Sequence, residues 1–328
     1  MRKIFTLLAA VTVAAVMFAA EGSLSGKFTI NDNGDQIQFS QGNLQYQAGT
    51  NTWRFAENQW DMVGMGYGQI DESYACYIGG TVEESDNSQI SSSYSGWIDL
   101  FGWGTGNIPT KTSTDNSDYS TFTDWGVNII SNGGSTANQW RTLTDEEWVY
   151  ILETRENASN KYGVGTVSGN NGVILLPDDF TLPADLSFTS GVHSDYSWGY
   201  FRQVNEYSLE QWMRMEANGA VFLPAAGDRL GTVVGDVGSR GRYWAATPFN
   251  TSGAYYLEIE SNRVFTYNSY CYYGFSVRLV RQADDTNGIE EISIQPSAIS
   301  SQKILLDGAL YILRPDGTIF STQGAKVK

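Results

Sequence analysis

The chain has 328 residues, 13% of them aromatic, with 20 basic against 36 acidic side chains and a formal charge of −16. This balance argues against a nucleic-acid partner, because binding to phosphate backbones rests on Lys and Arg displacing counterions. A solvated surface is the simpler meaning of the charge, and after Ala20 no apolar run is long enough to span a bilayer.

At the start, Met1-Arg2-Lys3 precedes the apolar run Ile4 to Ala20, which gives way to Glu21-Gly22-Ser23. A basic start, a short apolar core and small residues at its end are the pattern of a secretory signal peptide. Residues 1–21 are therefore expected to be removed, leaving a secreted, extracellular or cell-surface protein. No cysteine follows the apolar run to accept a lipid, so no membrane insertion is expected after removal. A cut after Ala20, which removes Arg2 and Lys3 and keeps Glu21, would leave 18 basic against 36 acidic side chains, a charge of −18, and a cut after Glu21 a charge of −17.

From Lys27 to Phe55, short alternating runs predict hairpins: Phe28-Thr29-Ile30, then Gln36 to Ser40, then Asn43 to Gln47. The intervening Asn31-Asp32-Asn33-Gly34-Asp35 is turn chemistry. It lacks the later Gly and Glu that an EF-hand calcium loop needs. Between Gly64 and Gly134 no helical period exists, and a loop of that length is either functional or packed down by its own side chains. Thr144 and Glu147 form a capping box for a helix over Asp145 to Glu156, with Trp148, Ile151 and Leu152 on its packed face. Ser208 and Gln211 repeat the box for a helix over Leu209 to Ala217, with Trp212 and Met215 inward and Gly219 as a left-handed stop.

Each helix is followed by a similar phrase, Gly172-Val173-Ile174-Leu175-Leu176-Pro177 and Gly219-Ala220-Val221-Phe222-Leu223-Pro224, which predicts a buried strand closed by proline. Further strands are expected at Tyr243 to Thr247, Ala254 to Ile259, Arg263 to Tyr267 and Phe275 to Val280. A polar linker, 283–301, then leads to a short β-rich tail, 302–328, with hairpin turns at Asp307-Gly308 and Asp316-Gly317. The elements predict an α+β body over 22–282, with mostly short antiparallel strands, two helices and long irregular loops.

The phrases Trp140-Arg141-Thr142-Leu143 with Glu147-Trp148, Val221 to Arg229, Tyr243-Trp244 and Gly274 to Val280 resemble a family of exported Bacteroidota domains. These are related to the formylglycine-generating enzyme (sulfatase-modifying-factor-related, major paralogous type) and to the C-type-lectin-like fold. Gly42 to Tyr46 and Trp53-Arg54-Phe55 resemble the start of the same proteins. The resemblance implies a C-type-lectin-like fold. The related sulfatase-activating enzymes use a cysteine pair, and Ser269-Tyr270-Cys271 echoes its first member. Ser276 stands where the second would be, so copper oxidation by two thiolates is not expected. The tail from Lys303 to Lys328 is similar to type IX sorting tails, which implies delivery through that secretion machinery. A plain strand-forming end is the competing account.

Cys76 and Cys271 can bridge in a disulfide-permissive setting, and each equally suits a buried thiol. His193 is the one histidine, which excludes the usual zinc clusters and leaves any Ser-His-Asp triad dependent on it. Asp178-Asp179, Glu146-Glu147 and Glu83-Glu84 are neighbours in sequence, which does not set two acids facing one another across a cleft. No cofactor and no metal are implied. Aromatic residues exceed what a core needs, and Trp198, Tyr200, Tyr267, Tyr270 and Tyr272 are the candidate ligand-binding residues, with core filling as the competing role. The expected function is non-catalytic binding or adhesion toward extracellular glycan or protein. A divergent oxidase or hydrolase, or a fimbria-like structural component, are the alternatives.

Overall fold

The computed structural model describes residues 21–63, 86–193 and 201–283, and the backbone of three strands within 302–321. The leader, Cys76, Trp198, Tyr200, the linker from 284 to 301 and the turns and end of the tail lie outside the described residues. By internal contacts the chain divides into two compact units, one through Ala283 and one from Asp284. The class is α+β: several small sheets and two helices.

In the first unit, β1 (Phe28–Thr29), β2 (Gln36–Phe39), β3 (Leu44–Gln47) and β4 (Thr52–Phe55) form the N-terminal hairpins. The β1–β2 turn is held by the Asn31 side chain, whose Oδ1 accepts from the amides of Asn33 at 3.0 Å and Asp35 at 3.2 Å. Next, α1 (Asp145–Val149) begins on a complete capping box from Thr144 and Glu147. It does not run on as an α-helix to Glu156. Tyr150–Thr154 widens into a π turn, and the Arg155 amide reaches the Tyr150 carbonyl at 2.9 Å. The wider turn lets Ile151 and Leu152 both enter the core beside Trp148.

β5 (Tyr162–Val167) and β6 (Asn170–Leu175) are followed by β7 (Glu206–Tyr207), α2 (Leu209–Ala217) and β8 (Val221–Pro224). The two echoed phrases lie side by side: β6 pairs antiparallel with β8, Val173 opposite Leu223, in a sheet ordered β7-β5-β6-β8. Both strands are apolar on both faces because both faces are covered. Val173, Leu175, Val221 and Leu223 enter the core that holds α1, whereas Ile174 and Phe222 meet Trp212 and Met215 of α2. Ser208 and Gln211 complete the α2 capping box, and Gly219 beyond it has φ of +85°. Thr144→Ala and Ser208→Ala are each expected to cost about 1 kcal/mol, as lost caps do. Thermal denaturation should show midpoints lower by about 2–4 °C for each and additive in the double variant.

β9 (Asp228–Leu230), β10 (Val233–Gly235), β11 (Gly241–Pro248), β12 (Gly253–Glu260), β13 (Arg263–Tyr270), β14 (Tyr273–Gly274) and β15 (Val280–Gln282) close the unit. Alternation along β11 and β12 feeds two cores. Tyr243, Ala245, Leu257 and Ile259 join the α1 core. Trp244, Ala254 and Tyr256 join a second one built with Trp53, Phe101, Trp125 and Phe275. The expected strand from Phe275 to Val280 is not one ladder. Phe275 bridges Phe101, Ser276 bridges Tyr243, and the Val277 and Leu279 carbonyls accept from Leu44 and Ser40. The segment therefore ties four parts of the body together.

A fully buried polar network crosses the same region. Arg278 donates to Asn43 Oδ1 at 3.3 Å and Gln59 Oε1 at 3.1 Å, and Gln59 also accepts from the Phe222 amide at 2.6 Å. Burial lowers Arg278 to about 10, which still leaves a cation at neutral pH. In the second unit, β16 (Gln302–Leu306), β17 (Ala309–Leu313) and β18 (Ile319–Ser321) form an antiparallel meander. No helix among the described residues is long and apolar enough to cross a membrane.

Candidate functional site

The chain leaves β13 at Tyr270, turns through Cys271 and Tyr272, and returns as β14 against β9. The turn is strapped to the long aromatic segment: the Trp103 amide donates to the Cys271 carbonyl at 2.9 Å, and the Cys271 amide donates to Ser252 at 3.2 Å. Gly274 allows the closest approach, since a Cβ there would stand 2.9 Å from Arg229 Nε.

This strapping makes a continuous series of rings. Tyr270 stacks on Tyr272 with centroids 5.3 Å apart and planes 15° apart, Tyr272 meets Tyr273 at 5.1 Å, and Tyr273 stacks on Phe275 at 5.8 Å. From Phe275 the series reaches Tyr256 at 4.8 Å and then Tyr267 at 6.5 Å. Three of the five residues read from the sequence are thus joined in one network. Trp198 and Tyr200 lie outside the described residues. Stacking uses up ring faces, so Tyr272 has little but its edge to offer. Its phenol is pushed up by burial and by Tyr273 and Tyr270, which keeps it a neutral donor. The rings that remain open are Tyr270, 54% exposed, and Tyr267, 55% exposed.

Beside the rings lies a cluster of arginines and carboxylates. Arg242 stands 5.5 Å over the Phe275 ring and pairs with Asp228 and, at 3.2 Å, with Glu258. Arg240 meets Glu260 at 2.6 Å and Asp236 at 3.0 Å, and Arg263 meets Glu260 at 2.6 Å. Each acid is already engaged by a guanidinium. No group of three or more potential metal ligands occurs among the described residues.

Cys271 is buried with its thiol free. Burial pushes that thiol up to about 11, so at neutral pH it is a thiol and not a nucleophilic thiolate. Ser276 is buried. The His193 amide is held by the Ser261 carbonyl at 2.7 Å. Asp178 and Asp179 diverge: Asp178 faces Arg155 at 3.1 Å, and Asp179 is exposed.

Sequence reasoning did not single out a second place, a cavity of about 220 Å³ lined by Trp103, Asn107, Lys111, Tyr119, Thr121 and Thr123, among others. Its signal was only the length and composition of the loop that forms it. It lies close to the tyrosine stack, because Trp103 is the residue bound to the Cys271 carbonyl. Neither Trp103 nor Tyr119 offers a ring face. Trp103 packs on Phe122 at 4.8 Å, and Tyr119 is covered by Lys111, whose Nζ is 5.0 Å from the ring centroid. The accessible lining is mixed, with hydroxyl and amide groups beside the exposed side chain of Ile108. In comparisons with protein-family models, curated proteins and solved structures, nothing matches the chain.

Proposed function

We propose that the body of the chain is a non-catalytic, extracellular binding or adhesion module of C-type-lectin-like type, which holds glycan or protein against the β13–β14 turn. The observation that carries this reading is the pair of half-exposed rings, Tyr267 and Tyr270, anchored on a packed ring network. Rigid aromatic residues with a polar edge supply contact area at low entropic cost. Support against the oxidase or hydrolase alternative comes from the protonated Cys271 thiol, the buried Ser276 and the acids already held by arginines. An exported leader and a tail similar to type IX sorting tails fit work outside the cell.

The test is an array of glycans and extracellular proteins probed with the full chain, with and without calcium. Tyr270→Ala and Tyr267→Ala should each weaken a saturable ligand about tenfold, as loss of an aromatic anchor does. Unchanged binding in both variants, or turnover of a substrate by the purified chain, would sink the reading.

One observation favours a structural component as a second reading. The edge of the β11-β12-β13 sheet is the eight-residue β13, an edge able to accept a further strand. Light scattering over a concentration series decides it, since assembly through β13 requires growth that a proline at Thr266 abolishes.

A further inference from the structure

Two cations stand at the cavity beside the tyrosine stack, in a chain whose overall charge is −16. Lys111 lines the cavity itself, and its Nζ spends one bond on the Asp118 carbonyl at 2.5 Å, leaving two donors of an ammonium. Behind it lies Arg229, fully buried, whose guanidinium donates to the Leu100 carbonyl at 3.3 and 3.2 Å, to the Lys111 carbonyl at 3.4 Å and to the Gly231 carbonyl. These partners are all backbone carbonyls. Dipoles hold the guanidinium in place without cancelling its charge, and a buried cation without a carboxylate projects its field into the nearest solvent-filled space. The neighbouring Tyr119 does not neutralise it. Its hydroxyl donates to the Ser113 carbonyl at 2.8 Å, and burial pushes the phenol up to about 12. The one acid on the cavity wall is Asp118, which is exposed.

The remaining lining is neutral, with hydroxyl and amide groups from Asn107, Ser120, Thr121 and Thr123 and one exposed apolar side chain, Ile108, against which an apolar face of a sugar ring can lie. The volume of about 220 Å³ is below the roughly 300–1,000 Å³ of drug-sized sites and suits one sugar-sized group. We propose that this cavity binds a single carboxylate-bearing sugar residue, the carboxylate on Lys111 and the ring hydroxyls on the Asn107 and Thr121 side of the wall. This rests on the binding-module reading and assigns that module a ligand class and a specificity-determining residue, Lys111. The carboxylate gains a charge-assisted hydrogen bond, and a neutral sugar of the same shape leaves the cations without a counter-charge.

The test is an NMR titration of the full chain with glucuronic acid, its methyl ester and glucose. Glucuronic acid is expected to shift the Ser120 and Thr121 amides saturably. The ester and glucose should bind about tenfold more weakly, and Lys111→Gln should cost about tenfold for the acid alone, in line with hydrogen bonds to charged groups. Raised salt should weaken only the acid. An unchanged melting midpoint shows that Lys111→Gln still folds; if it does not, the comparison of acid with ester in the unaltered chain decides alone. Equal binding of acid, ester and glucose, or no shift at Ser120 and Thr121 with any of them, would overturn the proposal. Tyr270→Ala separates the two readings. Array binding lost in Tyr270→Ala but unaffected by Lys111→Gln would retain the module and remove the acidic-sugar site.

Discussion

Asp178→Ala is expected to destabilise the chain by about 3–5 kcal/mol, the cost of breaking a buried ion pair from one side. The Asp178 carboxylate gathers groups from two separate stretches of the sequence, 29–36 and 155–161. Its Oδ2 accepts from the Thr29 amide and hydroxyl, both at 2.7 Å, and from Gln36 Nε2 at 3.1 Å. Its Oδ1 faces Arg155 at 3.1 Å and Lys161 at 3.9 Å. The Arg155 side chain is 1% exposed, so its charge depends on this partner and not on bulk solvent. Removing the carboxylate therefore strands a buried guanidinium and a strand amide together, and both costs fall on the junction of β1, β2 and the π turn after α1. Urea denaturation should show a lower midpoint at an unchanged slope. Arg155→Met combined with Asp178→Leu should recover the part of the loss that comes from the stranded guanidinium, because it removes both charges, while the Thr29 amide still lacks its acceptor. A cost below about 1 kcal/mol for Asp178→Ala would mean that the network holds nothing, as at an exposed ion pair.

The parts of this fold legible in the sequence are those decided by neighbours along the chain. Thr144 with Glu147 and Ser208 with Gln211 are capping boxes wherever they occur, and both form here. The doubly apolar phrases around Val173 and Val221 announced buried strands, and they prove to be partners in one sheet. Tyr267, Tyr270 and Tyr272 could be grouped because they are close in sequence, but which ring faces stay open depends on packing against Tyr273 and Phe275. What was hidden rests on distant pairs. Arg278 meets Asn43 from 235 positions away, and nothing near either residue signals it. Asp178 beside Asp179 looked like an acidic pair and is instead the counter-ion of Arg155. The pairing of two cations at the cavity was hidden for the same reason: Lys111 lies in an irregular loop, and Arg229 behind it arrives from β9.

Stability is expected to rise as the pH falls from neutral toward about 4–5, because burial pushes the carboxyls of both Asp99 and Asp228 up to about 6; Asp99 is the one that a single substitution isolates best. Asp99 is 1% exposed. It accepts from Asn87 Nδ2 at 2.7 Å and from the Val63 amide at 2.9 Å. Burial pushes its carboxyl up to about 6. The bonds from Asn87 and Val63 pull it down, but not enough, and the Asp86 charge adds to the rise. An unfolded Asp titrates near 3.9, so between about 4 and 6 the folded chain holds a proton that the unfolded chain lacks. Proton uptake by the folded state means that stability is lost as pH rises through this window and gained as pH falls through it, by about 3 kcal/mol for a shift of roughly two units. Asp178 and Glu260 act in the opposite sense. Burial pushes both up, but hydrogen bonds and arginines outweigh it and hold them below the ordinary range. Their contribution is present above the unfolded carboxylate values and disappears as pH falls through their lowered ones, which sets the acid limb below about pH 4. Self-repulsion at a net charge of −16 also relaxes on acidification, so the wild-type curve alone does not identify the group. Asp99→Asn does. It keeps the shape and the Asn87 contact, gives up the bond from Val63 at a cost independent of pH, and should make the slope between about pH 4 and 7 shallower, leaving the part due to Asp228 and the acid limb in place. Chemical denaturation across this range, with both proteins, checks it. A wild-type stability that is level or rising from about pH 4 to 7, or an Asp99→Asn slope equal to wild type, would show that Asp99 does not carry the effect.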